Sequence, residues 1–380
     1  MKKIVIMVTV PVVLETWLKG QAKFLSNYYE VEIVTSYSDK IQSIKEYENV
    51  SVKIVDFNRK INIFKDLKVL IQLTVYLLKK KPLIVYTLTP KAGLLGMISS
   101  WITRVPHRLH SVVGLPHLEA TGIRKKILTI TEKTTYFFSS KIYCNSKILT
   151  ATVKNMTAKE VAIIGNGSVN GVDTEFFKDK FSESQKNKIK DNLKLKKDDF
   201  IITFVGRIVK DKGIDELLSV FDLLSDKYPK IKLLLIGDYK NESDPISKQS
   251  HQIIKENNSV KYIEFQDDIR KYLCITNLFV LPSYREGLPN VLIEAGSFNI
   301  PLLATDINGC NEVIEHNING MLVKKKDEVA LFHAMEKFII DEKFYNFVRC
   351  NVRDSIVKKY DQKYFWNELL GELKKLDMDI

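Results

Sequence analysis

Two carboxylates, Glu286 and Glu294, lie eight residues apart in the segment 283–294, which has the pattern of a loop followed by a helix. The apolar run before it, residues 278–282, ends in a proline and is typical of a buried parallel strand. Glu286 is therefore expected in the loop at the carboxyl end of that strand, and Glu294 about one turn inside the helix. Ligands of open α/β sheets bind at this edge, and carboxylates accept hydrogen bonds, so we expect the two side chains to hold hydroxyl groups of a ligand.

Two cations, Arg207 and Lys212, occupy a glycine-bounded turn that follows another predicted strand, Phe200–Val205. A guanidinium and an ammonium at the start of a helix suit a diphosphate, because this leaving group gains negative charge as its bond to a sugar breaks. By itself the turn is equally typical of a protein surface. Its occurrence in the same half of the chain as Glu286 and Glu294 favours a site for a sugar diphosphate.

The elements around these residues predict an α/β protein, because strand-like and helix-like segments alternate in both halves of the chain. In the first half the predicted strands lie near residues 3–10, 31–35, 52–55, 83–87, 108–113 and 141–145. In the second half the predicted strands are 200–205, 231–236, 260–265, 278–282 and 301–305, with helices at 215–224, 268–275 and 290–298. We therefore expect two Rossmann-like domains with doubly wound parallel sheets that face a cleft.

Two changes in composition predict the domain limits. A glycine- and asparagine-rich stretch, residues 165–173, and a charged, apolar-poor stretch, residues 178–199, mark the junction between the halves.

The last predicted helix carries apolar residues on one face and is expected to cross back over the domains. These residues are Phe365, Trp366, Leu369, Leu370 and Leu373. The predicted division is 1–175, 176–355 and a crossover helix with tail at 356–380.

The composition is that of a globular protein, with 45% hydrophobic and 27% charged residues in a chain of 380. The four cysteines are widely spaced and form no CxxC pair, which favours a reducing cytoplasm over a zinc site or a disulfide framework. The apolar residues 3–10 run into Pro11 without a small-residue cleavage site, so we interpret them as a strand rather than a signal peptide. The apolar segment 92–103 is shorter than the ~20 residues that span a bilayer.

Positive charge is concentrated in the first half of the chain. Residues 1–180 contain 27 Lys and Arg against 14 Asp and Glu, which gives +13, whereas the whole chain carries +12. The basic residues between positions 57 and 133 alternate with amphipathic helical segments, a pattern that favours contact with an anionic membrane surface. A solvated rim around a buried helix is the alternative. Nucleic acid is not an expected partner, because no helix-turn-helix, RNP-like or zinc motif is present.

One set of motifs extends over both halves: Gly206-Arg207 with Lys212-Gly213, Pro282-Ser283, Glu286-Gly287 with Glu294, and Asn170-Gly-Val-Asp173 with Phe176. With these motifs the chain resembles the family 4 glycosyltransferases of the GT-B fold. The resemblance covers essentially the whole chain and is most specific between residues 165 and 325. It implies that a sugar is transferred with retention of its anomeric configuration, without a metal or another cofactor.

The resemblance also implies a role for each motif residue. Arg207 and Lys212 would bind the donor diphosphate, and Glu286 would bind the hydroxyls of the donor sugar. The acceptor hydroxyl would attack on the face that the diphosphate leaves, and a diphosphate oxygen would take its proton. Further donor contacts are implied for Glu294 with the ribose, for the backbone N–H groups of Gly287, Leu288 and Asn290, and for Phe265 and Asp268 beside the nucleobase.

In the first half the informative stretch is 107–119, a predicted strand that runs into a polar loop. His110, His117 or Glu119 would contact the acceptor or the outer hydroxyls of the donor sugar, although a lone histidine is more often structural. Members of the family often carry a glycine pair after the first strand. This chain has no glycine at residues 9–15, so its acceptor side departs from the family pattern.

The favoured interpretation is a retaining hexosyltransferase that moves a sugar of the N-acetylhexosamine type from a UDP-sugar to an undecaprenyl-diphosphate-linked saccharide in capsular or other surface polysaccharide biosynthesis. It would be cytoplasmic, with its acceptor-binding first domain on the inner face of a bacterial cell membrane, and other polysaccharide-assembly enzymes are candidate partners. Two alternatives are a UDP-sugar 2-epimerase of the same fold and a non-catalytic scaffold that binds the nucleotide sugar. The intact donor motif disfavours the scaffold, and the basic first half disfavours the epimerase.

Overall fold

The computed structural model describes residues 1–58, 62–115, 117, 120–239 and 244–378. The chain forms two compact units, one from Met1–Gly171 with Gln362–Ile380 and the other from Val172–Asp361. The units therefore change at 171 and 361, close to the limits of 175 and 355 expected from the sequence. The expected limit at 355 falls inside a helix, Glu342–Tyr360, that stays whole within one unit.

The described residues contain thirteen strands: β1 (Lys3–Met7), β2 (Glu30–Thr35), β3 (Ser51–Ile54), β4 (Ile84–Leu88), β5 (His107–Val112), β6 (Lys141–Cys144), β7 (Val161–Ile163), β8 (Phe200–Val205), β9 (Ile231–Ile236), β10 (Val260–Ile263), β11 (Leu278–Leu281), β12 (Leu302–Thr305) and β13 (Gly320–Val323).

The same residues contain sixteen α-helices: α1 (Val12–Thr16), α2 (Gln21–Leu25), α3 (Ile41–Glu48), α4 (Ile63–Lys80), α5 (Pro90–Ile102), α6 (Gly122–Phe138), α7 (Lys147–Lys154), α8 (Glu183–Asn192), α9 (Ile214–Lys227), α10 (Lys248–Glu256), α11 (Arg270–Leu273), α12 (Asn290–Ser297), α13 (Cys310–Val313), α14 (Glu328–Ile340), α15 (Glu342–Tyr360) and α16 (Gln362–Met378). None of these described helices combines the length and the apolar character that crossing a membrane requires.

Each unit is built on one sheet whose strand pairs, over the described residues, are all parallel. The first sheet has the order β3-β2-β1-β4-β5-β6-β7, and the second has the order β10-β9-β8-β11-β12-β13. Both orders reverse once, between β1 and β4 in the first sheet and between β8 and β11 in the second. The predicted α/β class with two doubly wound parallel sheets is confirmed.

The central strand β1 shows why the first sheet is covered on both faces. Its side chains alternate: Ile4 and Ile6 pack into the core formed with α1–α3 and α16, whereas Val5 and Met7 pack into the core formed with α4 and α5. A strand that is apolar on both faces is stable only between two layers of helices. The continuous apolar run at residues 4–8 therefore specifies a central buried strand.

The last helix, α16, returns to the first unit, as the sequence predicted. Phe365, Leu369, Leu370 and Leu373 are buried in the core that contains Ile4 and Ile6. Trp366, the remaining residue of the predicted apolar face, is only partly buried. Its indole Nε1–H donates to Asn170 Oδ1 at 2.6 Å, and its ring stacks on Phe24 with 5.1 Å between ring centroids.

The charged stretch 178–199 contains the helix α8, which the sequence pattern did not predict. No residue of α8 is fully buried, so it lacks the apolar periodicity that indicates a helix. Its start is instead stabilised by a reciprocal capping box, in which Ser182 accepts from the Gln185 N–H and the Gln185 side chain accepts from the Ser182 N–H. Ile189 and Leu193 then pack against the core of the second unit.

Replacing Leu369 with alanine should destabilise the protein by about 2–5 kcal/mol, because it removes a fully buried side chain from a packed core. Asn367→Ala, an exposed change on the same helix, is the matched control and should alter stability by less than about 0.5 kcal/mol. Urea unfolding followed by circular dichroism measures both. Equal midpoints for the two variants would show that α16 is not part of the core.

Candidate functional site

The predicted cations and Glu286 come from two loops that leave the second sheet at the same point. The loop at 206–213 follows β8, and the loop at 282–289 follows β11. β8 and β11 are neighbours, and the strand order runs away from them in opposite directions, through β9 and β10 on one side and β12 and β13 on the other. A crevice opens at such a reversal because successive connections cover opposite faces of the sheet.

Lys212 and Glu286 form an ion pair that joins these two loops. Lys212 Nζ lies 2.6 Å from Glu286 Oε1, and Ser283 Oγ donates to the same oxygen at 2.7 Å. The side chains of Lys212 and Glu286 are only 17% and 14% exposed. The pair is therefore a partly buried, hydrogen-bonded unit and not a surface contact.

Two glycines allow the loops to approach so closely. Gly213, directly after Lys212, has φ of 68°, and a Cβ at this position would lie 2.1 Å from the Pro282 carbonyl oxygen. Gly309, after β12, has φ of 80°, and a Cβ there would lie 1.8 Å from the Gly287 carbonyl oxygen. L-residues with a side chain rarely adopt this backbone conformation and would also clash. The glycine motif predicted a tight turn at Gly213, whereas the importance of Gly309 was not recognised from the sequence.

Arg207 is the more exposed of the two predicted cations, with 54% of its side chain accessible. Its Nη2 lies 3.6 Å from Asp211 Oδ2. Arg285 contacts the same oxygen more closely, through Nη2 at 2.8 Å and Nε at 3.0 Å. Neither Asp211 nor Arg285 was identified from the sequence, although both lie within the two motifs, next to Lys212 and Glu286.

Asp211 also connects the loops through its backbone. Its N–H donates to Asp244 Oδ2 at 2.9 Å, and its carbonyl accepts from the Tyr284 N–H at 2.8 Å. Burial raises the pKa of the Asp211 carboxyl above its ordinary value, against the opposing charges of Lys212 and Arg207. Asp211 thus holds the turn that carries Arg207 and Lys212 against the loop that carries Glu286.

Glu294 lies on α12, one turn after the helix begins at Asn290, and its environment differs from that of Glu286. It is partly buried, and no described residue donates a hydrogen bond to its carboxylate. Burial raises the pKa of Glu294 to about 7. Glu294 is therefore a hydrogen-bond acceptor without a partner in the described part of the chain.

The backbone before and at the start of α12 provides donors. The N–H groups of Gly287, Leu288 and Asn290 make no hydrogen bond to any described residue. Unpaired N–H groups and the positive end of the helix dipole favour an anion or a polar oxygen at this end of α12. These three predicted residues and Glu286 belong to the same loop and helix start.

Phe265 and Asp268 follow β10, the edge strand of the second sheet. Phe265 is 67% exposed. Asp268 pairs with Arg270 at 2.6 Å, and hydrogen bonds from Arg270 lower the pKa of the Asp268 carboxyl. The Arg270 guanidinium lies over the Phe176 ring at 3.5 Å from its centroid. In the described part of the chain, no hydrogen bond or ion pair joins this group to Glu286 or Lys212.

The predicted acceptor residues belong to the first unit. His110 is on β5, and its Nδ1 lies 2.8 Å from Thr87 Oγ1. Burial lowers the pKa of His110 to about 4, so its ring is neutral at pH 7. His117 is also buried, burial lowers its pKa, and its Nδ1 has no partner among the described residues. Glu119 lies outside the described residues, and the acceptor roles of all three stay predictions.

Groups able to bind a metal ion are not evident in the described ranges, where no three histidine, cysteine or carboxylate side chains converge. Three cations do converge at the carboxyl edge of the second sheet: Arg207 and Arg285, which pair with Asp211, and Lys212, which pairs with Glu286. This arrangement can bind a phosphate group directly through cationic side chains.

Comparisons with known proteins match this chain to glycosyltransferases. The family model "Glycosyl transferases group 1" matches residues 185–354. The chain is 33% identical over 357 residues to the capsular polysaccharide biosynthesis glycosyltransferase CapM of Staphylococcus aureus, covering 93% of this chain and 92% of CapM. It is 28% identical over 314 residues to the UDP-Gal:alpha-D-GlcNAc-diphosphoundecaprenol alpha-1,3-galactosyltransferase of Escherichia coli, covering 80% and 78%.

The fold is shared with a solved structure. HepE of Anabaena, crystallised in complex with UDP and glucose, superposes with a TM-score of 0.82 over 99% of this chain and 100% of HepE. The two sequences are 19% identical, so this similarity concerns the fold.

Glu294 should make the stability of the protein depend on pH. Its pKa is raised from 4.5 to about 7 on folding, so between these values the folded state keeps a proton that the unfolded state has lost. Stability should therefore fall as pH rises through this window. Glu294→Gln removes the effect and should be more stable than the wild type at pH 8 but not at pH 5.

Urea unfolding at both pH values measures this difference. Glu264→Gln, which changes an exposed carboxylate of the same unit, should leave the pH dependence intact. If the wild type and Glu294→Gln show the same pH dependence, the Glu294 carboxyl is not desolvated as described.

Proposed function

The chain belongs to the group 1 glycosyl transferases, and on this premise we propose that it transfers a sugar from a UDP-sugar to a saccharide carried on a lipid diphosphate. The observation that carries the proposal is the Lys212–Glu286 pair, held by Ser283 at the strand reversal of the second sheet. CapM is named for capsular polysaccharide biosynthesis, and the E. coli relative is named for a UDP-Gal donor and a diphosphoundecaprenol-linked acceptor. We place this enzyme in the same kind of surface polysaccharide assembly.

The donor diphosphate is proposed to bind between Arg207 and Lys212. An ammonium has three hydrogen-bond donors, so Lys212 can keep Glu286 and still contact a phosphate oxygen. The Arg207 side chain is mostly exposed, and its Nη2 lies 3.6 Å from Asp211 Oδ2. Because this contact is long, the guanidinium can turn towards an anion. Their two positive charges would stabilise the charge that develops on the diphosphate as the glycosidic bond to it breaks.

The sugar and the ribose are proposed to bind two carboxylates of different character. Glu286, ordered by Lys212 and Ser283, would accept hydrogen bonds from the hydroxyls of the donor sugar. Glu294, which lacks a donor among the described residues, would accept from the two cis hydroxyls of the ribose. The N–H groups of Gly287, Leu288 and Asn290 would contact the sugar and the diphosphate. Phe265 and Asp268 are proposed to lie beside the nucleobase.

The reaction is proposed to retain the anomeric configuration and to need no metal. The acceptor hydroxyl would attack from the side that the diphosphate leaves, and a diphosphate oxygen would accept its proton. Arg207 and Lys212 would supply the positive charge that a divalent cation provides elsewhere. The donor sugar is expected to be of the N-acetylhexosamine type, although the E. coli relative is named for galactose.

Arg207→Ala or Glu286→Ala should reduce turnover at least about tenfold, because the loss of a charge-assisted hydrogen bond costs about 1.5–3 kcal/mol. Both variants should fold normally by circular dichroism. Arg349→Ala, an exposed arginine on α15 of the same unit, is the matched control and should keep the wild-type rate. Steady-state UDP release measures the rates, and near-normal turnover in the two site variants would remove the site assignment.

The function is tested by incubating the enzyme with a panel of UDP-sugars, with and without an undecaprenyl-diphosphate-linked saccharide. UDP release that requires the acceptor is the expected result, and the anomeric configuration of the product tests retention. Isomerisation of the sugar without an acceptor would identify a 2-epimerase instead. Binding of the UDP-sugar with neither reaction would identify a scaffold.

A further inference from the structure

Helices α4, α5 and α6 form one layer on the first unit. α4 packs against α5, and α5 packs against α6. Their inner residues belong to the cores on that face of the sheet, for example Leu73 of α4 with Val5, and Tyr136 of α6 with Val112. The outer surface of this layer, called here the α4–α6 face, differs sharply from an ordinary helix exterior.

The helix α4 carries two apolar faces. Val69, Leu73, Tyr76 and Leu77 are buried against the sheet. Six further apolar residues point outwards within about 120° of the helix circumference at 3.6 residues per turn. They are Ile63 (78% exposed), Phe64 (88%), Leu67 (53%), Ile71 (58%), Val75 (47%) and Leu78 (54%). A surface helix normally has polar residues on this side, so the outer stripe is not explained by the core.

Exposed apolar residues also occur on α5 and α6, the other two helices of the layer. On α6 the outward apolar residues lie on one side of the helix, and the end of α5 adds an exposed tryptophan. These residues are Ile123 (78% exposed), Ile127 (41%), Ile130 (64%), Phe137 (67%) and Trp101 (53%). Exposed apolar side chains concentrated on one layer of helices in this way indicate an interaction site.

The charges between these apolar residues are almost all positive. Exposed basic residues on the two helices are Lys65, Lys68, Lys79, Arg124, Lys125, Lys126 and Lys133. The helices α4, α5 and α6 contain only two carboxylates, and neither balances this charge at the surface. Asp66 is paired with Lys91 at 2.8 Å, and Glu132 is 5% exposed.

We propose that the α4–α6 face binds the surface of an anionic lipid bilayer, with the outer stripe of α4 inserted among the lipids. This proposal rests on the proposed function, since a lipid-linked acceptor requires the enzyme at a membrane. An apolar stripe bordered by lysines is the pattern of a helix that lies in the plane of the membrane interface. A second copy of the chain fits less well, because two such basic faces would repel each other.

Co-sedimentation of the full-length protein with phosphatidylglycerol/phosphatidylcholine vesicles tests the proposal without any substrate. Phe64→Ser/Ile71→Ser should reduce binding about tenfold or more, because it removes two exposed apolar side chains from the stripe. Lys65→Gln/Lys68→Gln should reduce binding by about fivefold for each lysine at low salt, and less at high salt. Vesicles of phosphatidylcholine alone should bind the wild type more weakly.

Matched controls come from exposed residues of the second unit. Leu223→Ser/Val329→Ser replaces two exposed apolar residues with serine, and Lys188→Gln/Lys343→Gln removes two exposed lysines, in both cases away from the α4–α6 face, so vesicle binding should be unchanged. In detergent with a solubilised acceptor, Phe64→Ser/Ile71→Ser should keep the wild-type turnover. A failure of transfer chemistry would therefore be distinguished from a failure of membrane binding.

Three results would overturn the proposal. The wild type could remain in the supernatant with anionic vesicles, or the α4 variants could sediment like the wild type. Light scattering could also show a dimer that Phe64→Ser/Ile71→Ser dissociates, in which case a second copy covers the face.

Discussion

The ion pair between Lys212 and Glu286 is the contact on which the arrangement of the second unit's site depends. It exists only because β8 and β11 are adjacent and because Gly213 allows its loop to touch Pro282. Ion pairs of this partly buried kind contribute little net stability, because desolvation offsets the attraction. The ion pair instead preorganises the site. It holds a lysine and a carboxylate at fixed positions in the free protein, which lowers the entropic cost of binding a ligand.

The two site carboxylates show how one short segment creates two chemical environments. Glu286 is held by a cation and a hydroxyl, whereas the carboxylate of Glu294 accepts no hydrogen bond from the described residues. An unpaired carboxylate in such surroundings is unfavourable for the free protein. A ligand that brings hydroxyl donors would relieve that penalty, so the lack of a protein donor to Glu294 favours polyhydroxylated ligands.

The sequence predicted the features that follow from the geometry of buried parallel strands. β8 and β9 were predicted with the bounds observed, because central parallel strands are continuous apolar runs. The proximity of Lys212 and Glu286 followed from the way parallel strands end at one edge. Contacts of Asp211 with Arg285, and the environment of Glu294, depend on side-chain packing between loops, and no sequence spacing encodes them. The helix α8 was missed because its capping box, and not an apolar stripe, defines it.

The second unit begins and ends at one place. Val172 N–H donates to the Tyr360 carbonyl at 2.9 Å, and Thr174 Oγ1 donates to Asp361 Oδ2 at 2.6 Å. Residues 172–361 are thus an insertion within the first unit. Hydrogen bonds join the first residues of the insertion to its last residues, so the chain enters and leaves it at adjacent positions. Adjacent ends are the arrangement that domain insertion and circular permutation require, so the insertion can be joined to the first unit without distortion of either of its ends.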